Sequence, residues 1–385
     1  MRILFCTDTY PPQVNGVSVV TALSVQGLRE RGWEVEVIAP RYPDGDADIF
    51  GPGVSHAQVT SIPSMPLPGY RDIRLAAPAR ATVRTVFERF KPDIVHSATE
   101  FVIGRLGQRE ARDRGLIVTT SYHTDFAKYT SSYGLPFLRG PVQRWIRRFH
   151  AHAARIYTPS EPSRQDLLAL GLGDVEVWGR GVDDVLFHPS KRSLTLRQRH
   201  SLGNAFTFLH VGRLAPEKGV EVLLEAFRKV EAKLGPERVK FVVAGAGPSL
   251  DGLRAKAPRN VTFLGNLDRT RELPTLYASA DAFLFASTTE TLGLVVLEAM
   301  AAGLPVIATA AGGVADNLRD GENGLAFPAT DVDACAAAME RLVADRALQQ
   351  RLRDGARRWA ERRTWAMELD RLDASYRELL RPPAR

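Results

Sequence analysis

The chain has 385 residues, 44% hydrophobic and 25% charged, with 51 basic against 44 acidic residues and a net charge of +7. That length predicts two domains with sizeable cores, and the composition excludes a disordered or fibrous chain. The mild basic surplus permits contact with phosphates or anionic lipid and gives no reason to expect nucleic acid.

From the N-terminus, Ile3–Cys6 is too short an apolar run for a signal peptide, and Asp8 ends it. Ile3–Cys6, Val35–Ala39, Ile94–His96, Leu116–Thr120 and Ile156–Thr158 read as short buried strands rich in branched residues. Helical patterns at Val17–Arg31 and Ala79–Phe90 lie between them, which predicts parallel βαβ units. The loop after the first strand, Asp8 to Ser18, lacks the Gly-x-Gly-x-x-Gly pattern of dinucleotide binders and ends at Gly16 before a helix. Gly16 would let a backbone approach a ligand; the plainer reading is a turn capped by Asn15. Further on, Phe126 to Ser160 holds six Lys and Arg residues and no acid. There Trp145, Ile146 and Phe149 interleave with Arg144, Arg147 and Arg148 on a predicted helix. This reads either as an interfacial patch for anionic membrane or as a half-buried helix with a solvated Arg face.

A polar stretch, Gly179 to Asn204, interrupts the alternation. It restarts with Phe206–Val211, Val239–Ala244, Val261–Leu264, Ala282–Phe285 and Val306–Thr309. The pattern predicts an α/β protein of two doubly wound Rossmann-like domains, residues 1–188 and 189–363, facing each other across a cleft. The final segment, 364–385, contains an amphipathic helix expected to pack back on the N-terminal domain. Cys6 and Cys335 fall in different predicted domains, so no disulfide and a reducing, cytoplasmic compartment are expected. The most apolar long stretch, 292–311, is broken by Glu298, Gly303 and Pro305 and is not expected to span a membrane.

Two loops of the second domain carry the chemistry. Gly212-Arg213 to Lys218-Gly219 follows a strand and precedes a helix, where arginine and lysine could grip a diphosphate. The plainer reading is a solvated loop with a Glu217–Lys218 surface pair. Leu264, ending the third strand of this series, could present backbone groups to a base. Glu290 and Glu298, with seven residues between them, frame a strand–loop–helix segment. The N–H groups of Leu292, Gly293 and Leu294 at that helix start suit an anion, and the two carboxylates suit hydroxyls. A sugar nucleotide meets both demands. Glu298 falls inside an apolar helix and must have a partner there. Asp331-Val-Asp333 has the spacing of a metal clamp but reads as a helix cap.

The Glu-x7-Glu segment, the Gly-Arg-Leu-x-Pro-Glu-Lys-Gly loop, Ala311-Gly-Gly313 and Asn323-Gly-Leu resemble the retaining glycosyltransferases of family four, which have the GT-B fold. The resemblance runs through nearly the whole chain. Tyr122-His123-Thr124-Asp125, Ser131-Ser-Tyr-Gly-Leu and Trp178-Gly-Arg-Gly181-Val-Asp183 are similar to two lipid-acting subgroups. These are the GDP-mannose-dependent glycolipid α-mannosyltransferases and the sulfoquinovosyl-diacylglycerol synthases. The resemblance implies that Glu298 holds the donor ribose and that Glu290, with the amides of Leu292 to Leu294, contacts sugar and phosphate. It further implies that Arg213 and Lys218 neutralise the departing diphosphate, that His123 sits near the sugar, and that Gly16 lines the phosphate side. The expected donor is GDP-mannose or a UDP-sugar, with no cofactor and no metal. The acceptor is lipid-linked, and an anionic membrane surface is a further partner, giving a cytoplasmic enzyme peripheral to the membrane. The alternatives are a glucosyl or sulfoquinovosyl transferase using a UDP-sugar, a sugar-nucleotide epimerase on the same fold, and a non-catalytic sensor. An epimerase converts donor without acceptor, and a sensor binds it without turnover.

Overall fold

A computed structural model describes residues 1–13, 15–42, 57–67, 70–123, 125, 136–291 and 293–381. The chain divides into two compact units, one of Met1–Ala127, Pro136–Gly179 and Ala366–Arg385, the other built on Arg180–Trp365.

In the first unit the strands are β1 (Arg2–Cys6), β2 (Glu34–Pro40), β3 (Gln58–Ile62), β4 (Ser64–Leu67), β5 (Tyr70–Ala76), β6 (Ile94–Ser97), β7 (Ile117–Ser121), β8 (Arg155–Thr158) and β9 (Val175–Val177). Seven form one parallel sheet in the order β3-β2-β1-β6-β7-β8-β9, while β4 and β5 form a separate antiparallel hairpin. Because side chains alternate along a strand, Leu4 and Cys6 face the helices Arg80–Phe90 and Val102–Asp113. Phe5 and its register partner His96 point the other way, toward the helices Gly16–Glu30 and Trp365–Leu379. Both faces are therefore covered, and the strands must be apolar throughout. The C-terminal helix is pinned to this unit. Trp33 Nε1 donates to Asp373 Oδ1 at 2.6 Å, and Tyr376 Oη lies 2.9 Å from His96 Nδ1.

The second unit contains β10 (Phe206–Val211), β11 (Val239–Ala244), β12 (Val261–Gly265), β13 (Ala282–Phe285), β14 (Val306–Thr309) and β15 (Gly324–Phe327). All pair in parallel, in the order β12-β11-β10-β13-β14-β15. Phe208, Phe241 and Leu284 feed the core on one face; Leu209, Val242 and Phe283 feed the other. In each sheet the winding reverses once, at β1/β6 and at β10/β13. Connections there leave in opposite directions and open a crevice at the carboxyl ends of the two strands, where ligands of doubly wound sheets bind.

Candidate active site

The crevice of the second unit lies beyond Val211 of β10 and Phe285 of β13. The loop leaving β10 makes a single 3-10 turn, Pro216–Lys218, and packs against the chain leaving β13. Ser287 Oγ donates to the Glu217 carbonyl at 3.2 Å. A Cβ added to Gly219 would sit 2.8 Å from the Ala286 carbonyl, so only glycine lets the two loops come this close. Their contact brings Lys218 to Glu290, and Nζ donates to Oε1. Both side chains are largely buried. The Glu290 carbonyl accepts from Gly313 N at 2.8 Å, and an added Cβ at Gly312 would lie 2.2 Å from it. The Ala311-Gly-Gly313 segment thus cradles the peptide that carries Glu290.

Arg213 donates to Glu217, whose carboxylate is fully enclosed, rather than leaving Glu217 to Lys218. The expected Glu217–Lys218 surface pair is replaced by two separate pairs because the 3-10 turn sends the neighbouring side chains apart. Oε2 of Glu217 has no hydrogen-bond partner among the described residues. Gly212 opens this loop, and its N–H donates to the Ala244 carbonyl at 3.0 Å.

Glu298 lies on the helix Leu294–Ala301, which starts after Gly293 in the left-handed conformation, φ 77°. The first amides of a helix have no partner within it, and they carry the positive end of its dipole. Leu294 is the first of these residues, while Leu292 lies outside the described residues. Glu298 is buried and has the partner its position demands. Arg269 donates to Oε1 from Nε at 3.1 Å and from Nη2 at 2.8 Å, and Tyr277 Oη donates to Oε2 at 3.2 Å. Burial, reinforced by the Glu298 charge, pushes the Tyr277 hydroxyl well above its ordinary range, so it stays protonated and donates. Leu264, in β12, packs at the edge of the core that holds Tyr277.

His210, one residue before the end of β10, is enclosed, with Nδ1 3.1 Å from the Leu284 carbonyl. Phe283 and Phe285 stack beside its ring. Burial drives its pKa down to about 4; the Leu284 hydrogen bond opposes this and nearby Lys218 adds to it. Neutral imidazole therefore stands behind the Lys218–Glu290 pair at neutral pH. His210, Arg269 and Tyr277 were not read from the sequence as site residues, and Glu217 was read only as a surface partner of Lys218. The one signal was the carboxylate of Glu298 in an apolar run, which announces a partner without naming it.

In the first unit, Gly16 starts the helix Gly16–Glu30 and Asn15 Oδ1 caps it, accepting from Ser18 N at 2.9 Å. An added Cβ at Gly16 meets nothing within 4 Å. At the reversal between β1 and β6, Asp8 accepts from Thr99 Oγ1 at 2.8 Å and Ile103 N at 2.9 Å, tying the two loops. His123 follows β7 and shares a narrow gap with His96, Ser121 and Tyr376. Asp183, in the second unit, accepts from Leu186 N at 2.7 Å and fixes a loop.

On the basic helix Arg139–His150, Ile146 and Phe149 are only 1% and 3% exposed and belong to the unit's interior, as the half-buried alternative has it. Trp145 is half-buried, and Arg144, Arg147 and Arg148 are exposed. Asp331 Oδ1 accepts from Ala334 N at 2.9 Å, the helix cap expected of it. Among the described residues no group of three or more His, Cys, Asp or Glu is placed to hold a metal ion, and no helix is long and apolar enough to cross a membrane.

Residues 194–359 match the family model for glycosyl transferases group 1, and residues 14–186 match that for glycosyltransferase family 4. Over 379 residues the chain is 34% identical to a GDP-mannose-dependent alpha-mannosyltransferase of Mycobacterium tuberculosis, covering 98% of this chain and 96% of the relative. The chain belongs to glycosyltransferase family four. This glycosyltransferase is also 33% identical over 352 residues to the sulfoquinovosyl transferase SQD2 of Arabidopsis thaliana, covering 89% of this chain and 66% of the relative. Its fold is similar to that of Anabaena HepE in complex with UDP and glucose, with a TM-score of 0.78 at 20% identity over 98% of this chain and 99% of that one. The two doubly wound sheets are the GT-B architecture.

Proposed function

We propose that this glycosyltransferase moves mannose from GDP-mannose to a lipid-linked or glycolipid acceptor, with retention at the anomeric carbon and without a metal ion. The observation that carries this reading is the meeting of the Lys218 loop with the Glu290 loop at the β10/β13 reversal, beside the start of the helix that bears Glu298. In the proposed reaction the bond from the sugar's anomeric carbon to the diphosphate oxygen breaks and leaves negative charge on the phosphate. Lys218 and Arg213 are fixed cations that stabilise this charge in the transition state. The acceptor hydroxyl adds to the anomeric carbon on the same face, and its proton passes to the departing phosphate.

Glu290, with the amides of Leu292, Gly293 and Leu294, would orient the hexose and its phosphate. Glu298 would accept from the ribose hydroxyls while Arg269 and Tyr277 hold it still. Backbone groups of Gly212 and Leu264 would line the nucleotide, Gly16 the phosphate side, and His123 the sugar. The assignment of GDP-mannose leans on the full-length similarity to the mycobacterial mannosyltransferase. The similarity to SQD2, and to an alpha-monoglucosyldiacylglycerol synthase of Streptococcus pneumoniae at 33% identity, supports a second reading, UDP-sugar-dependent transfer to diacylglycerol. Both readings place the enzyme at the cytoplasmic face of a membrane as a peripheral protein.

Calorimetric titration with GDP-mannose, UDP-glucose and UDP-sulfoquinovose separates the two. Tight binding of GDP-mannose, with labelled mannose appearing in glycolipid as the α-anomer, is the expected result. Preference for a UDP-sugar moves the assignment to the second reading. Turnover of donor without acceptor defeats both.

A further inference from the structure

His123 stands two residues beyond Ser121, the last residue of β7. The Tyr122 N–H still donates to the Tyr157 carbonyl at 2.8 Å, so the ladder continues one residue past the strand. Side chains two apart on extended backbone face the same way. Ser121 and His123 accordingly line the same narrow gap, beside residues of the helices Gly16–Glu30 and Trp365–Leu379.

The floor of this gap is a buried polar network. His96 on β6 stands opposite Thr119 of β7 and is enclosed. Its ring is bracketed by hydroxyl groups of that neighbouring strand. Nδ1 lies 3.0 Å from Thr119 Oγ1, and Nε2 lies 2.9 Å from Ser121 Oγ. A third hydroxyl comes from 280 residues away, where Tyr376 Oη on the C-terminal helix lies 2.9 Å from Nδ1. The Tyr376 ring is fully buried, and the rings of Trp33 and Tyr157 meet it edge-on with centroids 5.9 and 5.5 Å away. Packing alone does not ask for these polar atoms. Phenylalanine at 376 and an aliphatic residue at 96 would fill the same interior with nothing to satisfy. A fully bonded network in an interior fixes one geometry, and this one lies at the carboxyl ends of β6 and β7, where the chain turns out toward His123.

We propose that Tyr376 is a positioning residue for glycosyl transfer, acting through His96 and Ser121 on His123. The Tyr376 hydroxyl donates to His96 Nδ1, which leaves the ring proton on Nε2. Nε2 then donates to Ser121 Oγ and holds the end of β7, and with it the His123 ring, in one orientation. The C-terminal helix thereby does more than cover the sheet: it sets the aim of a side chain in the site. The catalytic part of this inference rests on the reading above that His123 faces the sugar; the link between the rings does not.

Tyr376→Phe removes one hydroxyl and keeps the ring. It is expected to lower kcat by about three- to tenfold, the rate equivalent of one hydrogen bond, with an unchanged KM for donor. Asp373→Asn is the control. It weakens another anchor of the same helix, the bond from Trp33 Nε1, without touching His96. It is expected to lower the thermal melt and leave kcat at the parent value. Proton–nitrogen correlation spectra of the histidine rings report the link without donor or acceptor. The His123 resonances are expected to shift in Tyr376→Phe and to stay in place in Asp373→Asn. Tyr376→Phe combined with Ser121→Ala is expected to cost no more in kcat than the larger single change. Should Tyr376→Phe unfold, His96→Gln carries the same kinetic and spectral test. His123→Ala separates the inference from the reading beneath it. Near-normal turnover in that variant defeats the placing of His123 beside the sugar, and the catalytic role of Tyr376 with it. Impaired turnover in His123→Ala beside a parent-like kcat in Tyr376→Phe overturns this inference alone. So does a His123 spectrum that Tyr376→Phe leaves unchanged. Equal kcat losses in Tyr376→Phe and Asp373→Asn would mean a general loosening of the helix and overturn it as well.

Discussion

Lys218 Nζ donates to Glu290 Oε1 although 72 residues separate them in the chain. Each stands on the loop that leaves one of two adjacent parallel strands, β10 and β13, where the winding of the sheet reverses. Close approaches at Gly219 and Gly312 hold the two loops and the Glu290 peptide in place. The carboxylate therefore aims the ammonium, and a phosphate held between the loops would meet a cation whose position is already set.

Lys218→Ala should lower the turnover number by about two to three orders of magnitude, the range for losing one preorganised transition-state stabiliser. Nucleotide affinity should fall far less, since ground-state binding is shared with backbone amides. Steady-state kinetics beside a GDP titration check the split. Near-normal turnover in the variant removes Lys218 from the chemistry.

Arg269→Ala should destabilise the fold by about 3 kcal/mol, because it strands the buried Glu298 carboxylate without its cation. Adding Glu298→Gln to that variant should recover part of the loss, while nucleotide binding stays weak in both. Urea denaturation of the two single variants and the double measures this. Strictly additive losses would show that the pair does not act as a unit.

His210 makes the fold acid-sensitive in a defined window. Its folded pKa of about 4 lies below the ordinary 6.5, so on acidification the unfolded chain takes up the proton first. Its contribution is complete above pH 6.5 and is lost as pH falls toward 4, on the order of 3 kcal/mol in all. His210→Phe keeps a ring beside Phe283 and Phe285 and should flatten stability across that window. Parallel curves for parent and variant, from urea midpoints against pH, would refute the assignment.

Gly16→Ala separates the two readings of the first loop. The position begins a helix and has open space around it, so alanine should leave stability equal or raise it by up to about 1 kcal/mol. If Gly16 lines the donor phosphate, the same methyl group should raise the KM for donor severalfold. Unchanged donor kinetics would leave Gly16 as a helix start and nothing more.

Legibility followed burial. β10, β11, β13 and β14 match the apolar runs residue for residue, because a parallel strand covered on both faces must be apolar along its whole length. The edge strand β3, with Gln58 and Val59 exposed, and the three-residue β9 give no such run and were not read. Trp145, Ile146 and Phe149 show the limit of periodicity. It identified an apolar stripe among arginines, but an apolar stripe looks the same whether it meets a core or a lipid.

That the chain holds two doubly wound α/β domains was already written in the alternation of branched strands with helical patterns; the order of the strands, and with it the one place in each sheet where the winding reverses, came only with the tertiary structure. The same reading placed Arg213, Lys218 and Glu290 in loops that follow strands, where polar groups can face a ligand, and Glu298 inside the apolar helix that follows. The pairing among charges was decided only in three dimensions. Glu217 goes to Arg213, Lys218 to Glu290, and Glu298 to Arg269. The physical reason is that such pairs depend on the direction of a single turn and on the approach of loops from distant strands, and neither leaves a periodic trace along the chain.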